Sequence, residues 1–259
     1  MNKLWLIDTH CHLQEPEFES DREEVIERAR KERILIIDSA TSPGMWLGCL
    51  QTAKSHSNVF ASIGLDPVLY ENTESALDFI RAHHPEIVAV GEVGQDHYRT
   101  TEHNQRKEQE EAFTRFIEIA SELKMPIQVH SRSAGKKALE TLSSSNAELV
   151  HMHAFDGKAN LAREASRNLG YYFSVPTSVV RSQQKRNLVK AVEPERMLLE
   201  TDSPVLGPSS DSRNEPTNLG IALKEVCSIL GREEEELRGL ILENTLRLYS
   251  KVAHLLQTS

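Results

Sequence analysis

Histidines and carboxylates recur in this chain where short apolar runs end. In Asp8-Thr9-His10-Cys11-His12 two imidazoles stand two residues apart. In an extended strand that spacing turns His10 and His12 to one side and Cys11 to the other, so one cation can take both. Glu92 follows the apolar run Ile87–Val90 within Gly91-Glu92-Val93-Gly94, where a carboxylate is costly unless it is paired or bound to a metal. His130 ends Ile127-Gln128-Val129, His153 ends Val150-His151-Met152, and Asp202 follows Met197–Leu199 in Glu200-Thr201-Asp202-Ser203-Pro204. His151 shares a face with His153. His153 is the better ligand because it lies nearer the carboxyl end of its run, which leaves His151 beneath it.

Carboxylates with several imidazoles and no thiolate cluster suit Zn²⁺, Mn²⁺ or Mg²⁺. Six ligands exceed what one catalytic zinc uses. Two ions about 3.5–4 Å apart, sharing Glu92, would use His10, His12, His130, His153 and Asp202 as well and leave positions for water. Asp202 then serves as ligand and as candidate base. Glu200, two residues earlier on the same face, is a candidate for orienting a ligand or the nucleophilic water.

Eight apolar runs of strand length carry these residues: Leu4–Ile7, Ile34–Ile37, Val59–Ile63, Ile87–Val90, Ile127–Val129, Leu149–Met152, Tyr171–Val175 and Met197–Leu199. Unbroken runs rich in Ile, Val and Leu fit parallel strands buried on both faces. Their ends hold, in order, His10 and His12, Asp38, Gly64, Glu92, His130, His153, Ser174 and Asp202, from 21 to 38 residues apart. Helical patterns lie between. Gln105–Leu123 repeats Phe113, Phe116, Ile117 and Ala120 before Pro126; Ser20–Glu32 opens on a capping box, Ser20 with Glu23; Leu219–Leu230 closes at Gly231; and Glu233–Leu256 reads as one or two terminal helices. Strand followed by helix eight times over predicts a (β/α)₈ barrel of the TIM type, an α/β fold spanning residues 1–259 as one domain, with the dispersed ligands converging at one mouth. The open doubly wound sheet is the competing architecture, and no G-x-G-x-x-G follows the first run.

The chain has 259 residues, 39% hydrophobic and 27% charged, and 30 Lys plus Arg against 39 Asp plus Glu give a net charge of −9. That balance excludes a broad phosphate-neutralising surface, so nucleic-acid chemistry must be local. Three separated cysteines, Cys11, Cys49 and Cys227, form no C-x-x-C pair and favour a reducing cytoplasm. The amino-terminal apolar run is too short for a secretion signal, and no stretch reaches the length of a membrane span.

Taken together, Asp8-Thr9-His10-Cys11-His12-Leu13, Gly91-Glu92-Val93-Gly94 with Asp96, His130-Ser131-Arg132, His153-Ala154-Phe155, Glu200-Thr201-Asp202-Ser203-Pro204 and Arg213-Asn214-Glu215-Pro216 resemble, in order, the motifs of the TatD-type metal-dependent deoxyribonucleases. These are amidohydrolase-like barrels of the metallo-dependent hydrolase type. The resemblance implies a divalent-metal site built from His10, His12, Glu92, His130, His153 and Asp202, acting on DNA phosphodiesters, often from a strand end. On that reading Arg213 and Arg132 are the candidate phosphate contacts, since the guanidinium fork matches phosphate oxygens. Arg181, Lys185 and Arg186 could line the same mouth or solvate a helix. The sequence departs from the family pattern at Asp66, where a histidine is usual, at Gln95, where an apolar residue is usual, and at Ser133, where an aspartate is usual. All three bear on substrate choice. The competing functions are hydrolysis of carbonyl compounds on the same barrel, including amides and D-aminoacyl-tRNA, and a metal-binding module without catalysis.

Overall fold

The structure, a computed structural model, describes residues 4–258 and the side chains of residues 4–254. Its eight strands are β1 (Leu6–Cys11), β2 (Ile34–Ala40), β3 (Val59–Ile63), β4 (Ile87–Gly94), β5 (Ile127–His130), β6 (Val150–Met152), β7 (Tyr172–Val175) and β8 (Met197–Leu199). They form one sheet in chain order with every neighbouring pair parallel. Between them run α1 (Arg22–Lys31), α2 (Pro43–Ser55), α3 (Thr73–His83), α4 (His103–Glu122), α5 (Gly135–Ser144), α6 (Ala159–Glu164) and α7 (Gln183–Val189); α8 (Leu219–Leu230), α9 (Glu234–Leu248) and α10 (Ser250–Thr258) follow β8. This is the (β/α)₈ barrel that the strand and helix alternation predicts.

Side-chain alternation builds two cores. In β2, Ile34 and Ile36 pack outward under the helices, while Leu35 and Ile37 point into the barrel beside Ile7, Phe60, Val88 and Leu198. Leu248, Tyr249 and Val252, from the junction of α9 and α10, join the inner group and seal the barrel at the end opposite the site.

β8 and β1 meet through side chains as well as backbone. The buried Asp8 carboxylate accepts from the Thr201 amide at 2.8 Å and from its hydroxyl at 2.5 Å. The Thr9 hydroxyl donates to the Leu199 carbonyl, and the amides of Asp202 and His12 donate to the carbonyls of His10 and Ser203.

Several element boundaries differ from the expectation. β1, β2 and β4 run past their apolar stretches through Asp8-Thr9-His10-Cys11, through Asp38-Ser39-Ala40 and through Gly91-Glu92-Val93-Gly94. Polar residues can stay in the strand there because their side chains find partners inside the mouth. The Ser20–Glu23 capping box does not form. Asp21 stands at the N-cap without capping, and its carboxylate is taken by Arg213 and Arg28 instead. Gly231 ends α8 at φ 64° as expected, and the carboxyl-terminal pattern resolves into two helices.

Candidate metal centre

The carboxyl ends of β1, β4, β5, β6 and β8 bring six predicted donors to one mouth. Glu92 stands at the centre because glycines clear its path. A Cβ on Gly64 would lie 2.2 Å from the Glu92 carbonyl oxygen, and Gly91, at φ 150°, lies against Gln128. Its two oxygens face different partners. Glu92 Oε2, Asp202 Oδ1, His10 Nε2 and His12 Nε2 form one group, whose five measured separations run from 3.2 to 3.6 Å. Tetrahedral bonds of 2.0–2.1 Å have an edge of about 3.3 Å. Glu92 Oε1 faces the second group, 2.5 Å from His130 Nδ1 and 3.2 Å from His153 Nε2, with those two nitrogens 3.4 Å apart. The rings of His10 and His153 stack at 4.0 Å between the groups.

Each imidazole has its far nitrogen turned to an acceptor. His12 Nδ1 lies 2.8 Å from the Ser39 carbonyl, and His10 Nδ1 lies 3.3 Å from Gln128 Oε1. His130 Nε2 is 3.1 Å from Asp96 Oδ2, and His153 Nδ1 is 3.6 Å from Glu200 Oε2. In His12, His10 and His130 an outer N–H held this way leaves the inner nitrogen with its lone pair toward the carboxylates, the arrangement seen around bound metals; His153 Nδ1 makes no hydrogen bond to a described residue. Lone pairs at such separations repel unless a positive charge lies among them. The electrostatics agree. Burial opposes ionisation of Glu92, but the neighbouring His153 and His130 overcome it and hold the carboxyl well below its usual range. Burial likewise opposes charge on His12, which Asp202 and Glu92 nonetheless push up to about 10. The cluster draws positive charge, which a divalent cation satisfies while displacing protons. His10, His12 and Asp202 form one candidate ligand triad and His10, Glu92 and His153 another.

Glu200 sits behind His153, away from the donor atoms. It accepts from the Ala154 amide at 2.8 Å and the Ser174 hydroxyl at 2.6 Å. Arg132 is exposed and stacks its guanidinium 3.8 Å from the ring centre of Tyr98. Arg213 is engaged. Its fork binds both oxygens of Asp21 at 2.7 and 2.6 Å and the Glu17 carbonyl, over the Phe18 ring. The basic residues after β7 are structural rather than part of the mouth: Lys185 Nζ donates to the carbonyls of Ala154 and Phe155, Arg181 holds the Gly207 carbonyl, and Arg186 pairs with Glu225.

The three family departures meet different surroundings. Asp66 takes both Arg99 terminal nitrogens at 2.8 Å, and Arg99 Nε donates at 2.6 Å to the same Asp96 oxygen that faces His130. The Ser133 amide donates to Asp156. Gln95 is fully buried, with no hydrogen bond from its side chain to a described residue. Composition and periodicity did not reveal the supporting residues Ser39, Gln128 and Tyr249, and placed Ser174 at a strand end without a role. Gln128 carried a signal, a polar residue amid a buried strand, which must find partners.

Comparison with known proteins agrees with this geometry. The TatD related DNase family matches residues 7–250. Human deoxyribonuclease TATDN3 is 36% identical over 268 residues, covering 97% of each chain. The metal-dependent hydrolase MJ1582 of Methanocaldococcus jannaschii is 31% identical, over 97% of this chain and 99% of that one. Among solved structures, the TatD homologue YJJV of Escherichia coli K12 superposes with a TM-score of 0.86 at 26% identity, covering 95% of this chain and 98% of its own. By its residues, its barrel and its near-complete match, the chain belongs to the TatD related DNase family.

Proposed function

We propose that the protein is a divalent-metal-dependent deoxyribonuclease that hydrolyses phosphodiester bonds with two ions held at the barrel mouth. The observation that carries this reading is Glu92, whose two oxygens each face a separate set of imidazoles. His10, His12 and Asp202 would hold one ion with Glu92, and His130 and His153 would hold the other. When bound, such ions supply a water of lowered pKa and polarise the phosphoryl oxygen. The protein's own residues do the rest. Asp202 offers Oδ1 to the ligand set and its second oxygen to the proton of the attacking water. Asp96 fixes the ring of His130, and Glu200 places a carboxylate behind that of His153. Arg132, stacked but free of a carboxylate partner among the described residues, and Arg213, once released from Asp21, bind substrate phosphates. Local recognition of this kind suits a chain of net charge −9, which cannot bind DNA by bulk attraction.

The deoxyribonuclease name of the human relative supports DNA as substrate, and action from a strand end fits a single recessed mouth. Amide hydrolysis and deacylation of D-aminoacyl-tRNA are not favoured, because Glu92 stands where the wider superfamily commonly uses a carboxylated lysine. No helix among the described residues is long and apolar enough to cross a membrane, and the thiols of Cys11, Cys49 and Cys227 are free, which supports a place in the reducing cytoplasm. The test is cleavage of end-labelled single- and double-stranded DNA by chelator-stripped protein given Mg²⁺, Mn²⁺ or Zn²⁺. Metal-restored shortening from one end is expected. Turnover of an amide or aminoacyl ester panel with no cleavage of DNA overturns the reading.

A further inference from the structure

Below the donor cluster, buried polar groups form a hydrogen-bonded path from Gln128 to Glu200, and the protons between Gln128 and Glu200 have one consistent arrangement. Gln128 Nε2 lies 2.9 Å from the Thr9 carbonyl. A carbonyl only accepts, so the amide nitrogen points there, and Oε1 faces His10 Nδ1 at 3.3 Å and the Ser39 hydroxyl at 2.7 Å. Gln128 Nε2 also lies 3.0 Å from the Tyr249 hydroxyl, and an amide nitrogen only donates. The Tyr249 proton must therefore go to its other neighbour, His151 Nδ1, at 2.6 Å. With Nδ1 accepting, neutral His151 carries its proton on Nε2, 2.6 Å from Ser174 Oγ. Ser174 then donates at 2.6 Å to Glu200 Oε2, the oxygen that also faces His153 Nδ1.

We infer that Tyr249 is a positioning residue for the metal centre: its hydroxyl sets the His151 tautomer, which turns the Ser174 proton onto Glu200 and so holds that carboxylate in place behind the ligand His153. This rests on the two-ion reading above. Tyr249 comes from the junction of α9 and α10 at the sealed end of the barrel, so a residue remote from the mouth helps hold the carboxylate that backs one of the ligands. Removing the hydroxyl leaves His151 Nδ1 without a donor. The His151 proton can then move to Nδ1, Ser174 can turn its own proton to Nε2, and Glu200 loses a partner. Outer partners of metal ligands are typically worth 10–100-fold in affinity.

The experiment compares the wild-type protein with Tyr249→Phe and with Val252→Ala, a fully buried change in the same lower core whose apolar side chain brings no polar atom to the path. Chelator competition measures metal affinity, thermal melts measure stability, and long-range ¹H–¹⁵N spectra of metal-free protein report the tautomers. Wild type is expected to bind two ions and to show His151 protonated on Nε2. Tyr249→Phe is expected to shift that tautomer and weaken metal binding about tenfold, whereas Val252→Ala lowers stability and leaves affinity unchanged. If Tyr249→Phe does not fold, Ser174→Ala breaks the path at its other end and is expected to weaken only the ion beside His153. A wild-type protein that binds no metal defeats the two-ion reading itself. A wild type that binds two ions, with Tyr249→Phe or Ser174→Ala matching it in affinity or falling no further than Val252→Ala, overturns this inference alone. So does a His151 protonated on Nδ1 in the wild type.

Discussion

The two halves of the donor cluster are unequal. The half on Glu92 Oε2 has four protein donors close to the edges of a tetrahedron, and His10 within it is fully buried. The half on Glu92 Oε1 has two imidazoles and one carboxylate oxygen. Structural zinc sites are closed by four ligands, while catalytic ones keep a position open. The closed half is therefore suited to holding its ion and organising Glu92, and the open half to admitting water and a phosphoryl oxygen. The surroundings follow the same division. Arg132, two residues from His130, pairs with no carboxylate among the described residues, whereas Arg213, from the loop after β8, is held by Asp21.

The largest effect is expected from Glu92→Gln, which removes the charge that both halves share. Metal bound per chain should fall from about two to one or fewer, and kcat by about a hundredfold or more, while the melting curve stays cooperative. Metal analysis beside single-turnover cleavage checks this, and a mutant that keeps two ions and most of its rate removes the shared carboxylate and the comparison with it.

Asp96→Asn acts on one half alone. Burial opposes charge on Asp96, but His130 and Arg99 overcome it and hold the carboxyl far below its usual range. The neutral amide should weaken the ion beside His130 by about 10–100-fold and leave the other ion unaffected. A two-phase metal titration reads the difference, and equal losses in both phases would mean that the halves are not separable.

The rim arginines give a smaller contrast. Arg132→Ala should raise KM more than Arg213→Ala, each should lower the salt slope by about one, and neither should change metal content. Asp21→Asn, which frees the Arg213 fork, should lower KM. Steady-state kinetics across a salt series would assign Arg213 to structure if neither its own variant nor Asp21→Asn changes KM.

The smallest effect concerns the loop beneath Arg213. Burial raises the pKa of Glu215, but hydrogen bonds from Arg28 and Thr217 outweigh it and hold the carboxyl below its usual value. A lowered folded value contributes stability that is fully present above the unfolded pKa of about 4.3 and is lost as pH falls through the folded one. The Arg28 side chain is 43% exposed, so Glu215→Gln should cost less than about 1 kcal/mol near neutrality. That difference should close below about pH 4 in parallel denaturant melts, and one that persists there would assign the loss to packing.

The positions of the six donors were legible because each ends or closely follows an apolar run, and a period of two assigns their faces. The barrel was legible for the same reason. The support was not. Gln128 and Tyr249 meet across 121 residues of sequence, and Arg213 and Asp21 across 192, separations at which no local pattern operates. Strand ends were misjudged at β1, β2 and β4 because hydropathy marks the polar residues there as loop, whereas in the mouth Asp8, Asp38 and Ser39 satisfy their polar groups by hydrogen bonding to neighbouring elements.

The seam between β8 and β1, where Asp8 grips Thr201 across 193 residues, also fixes when the centre can exist. Synthesis proceeds from the amino terminus, so His10 and His12 leave the ribosome well before Asp202, which completes their half, and Tyr249, which underlies it. A nascent or truncated chain that stops before Asp202 carries the histidines without the carboxylate beside them and without the strand that closes the barrel. Such a copy lacks the complete donor set, and cutting requires the chain to have been made beyond β8.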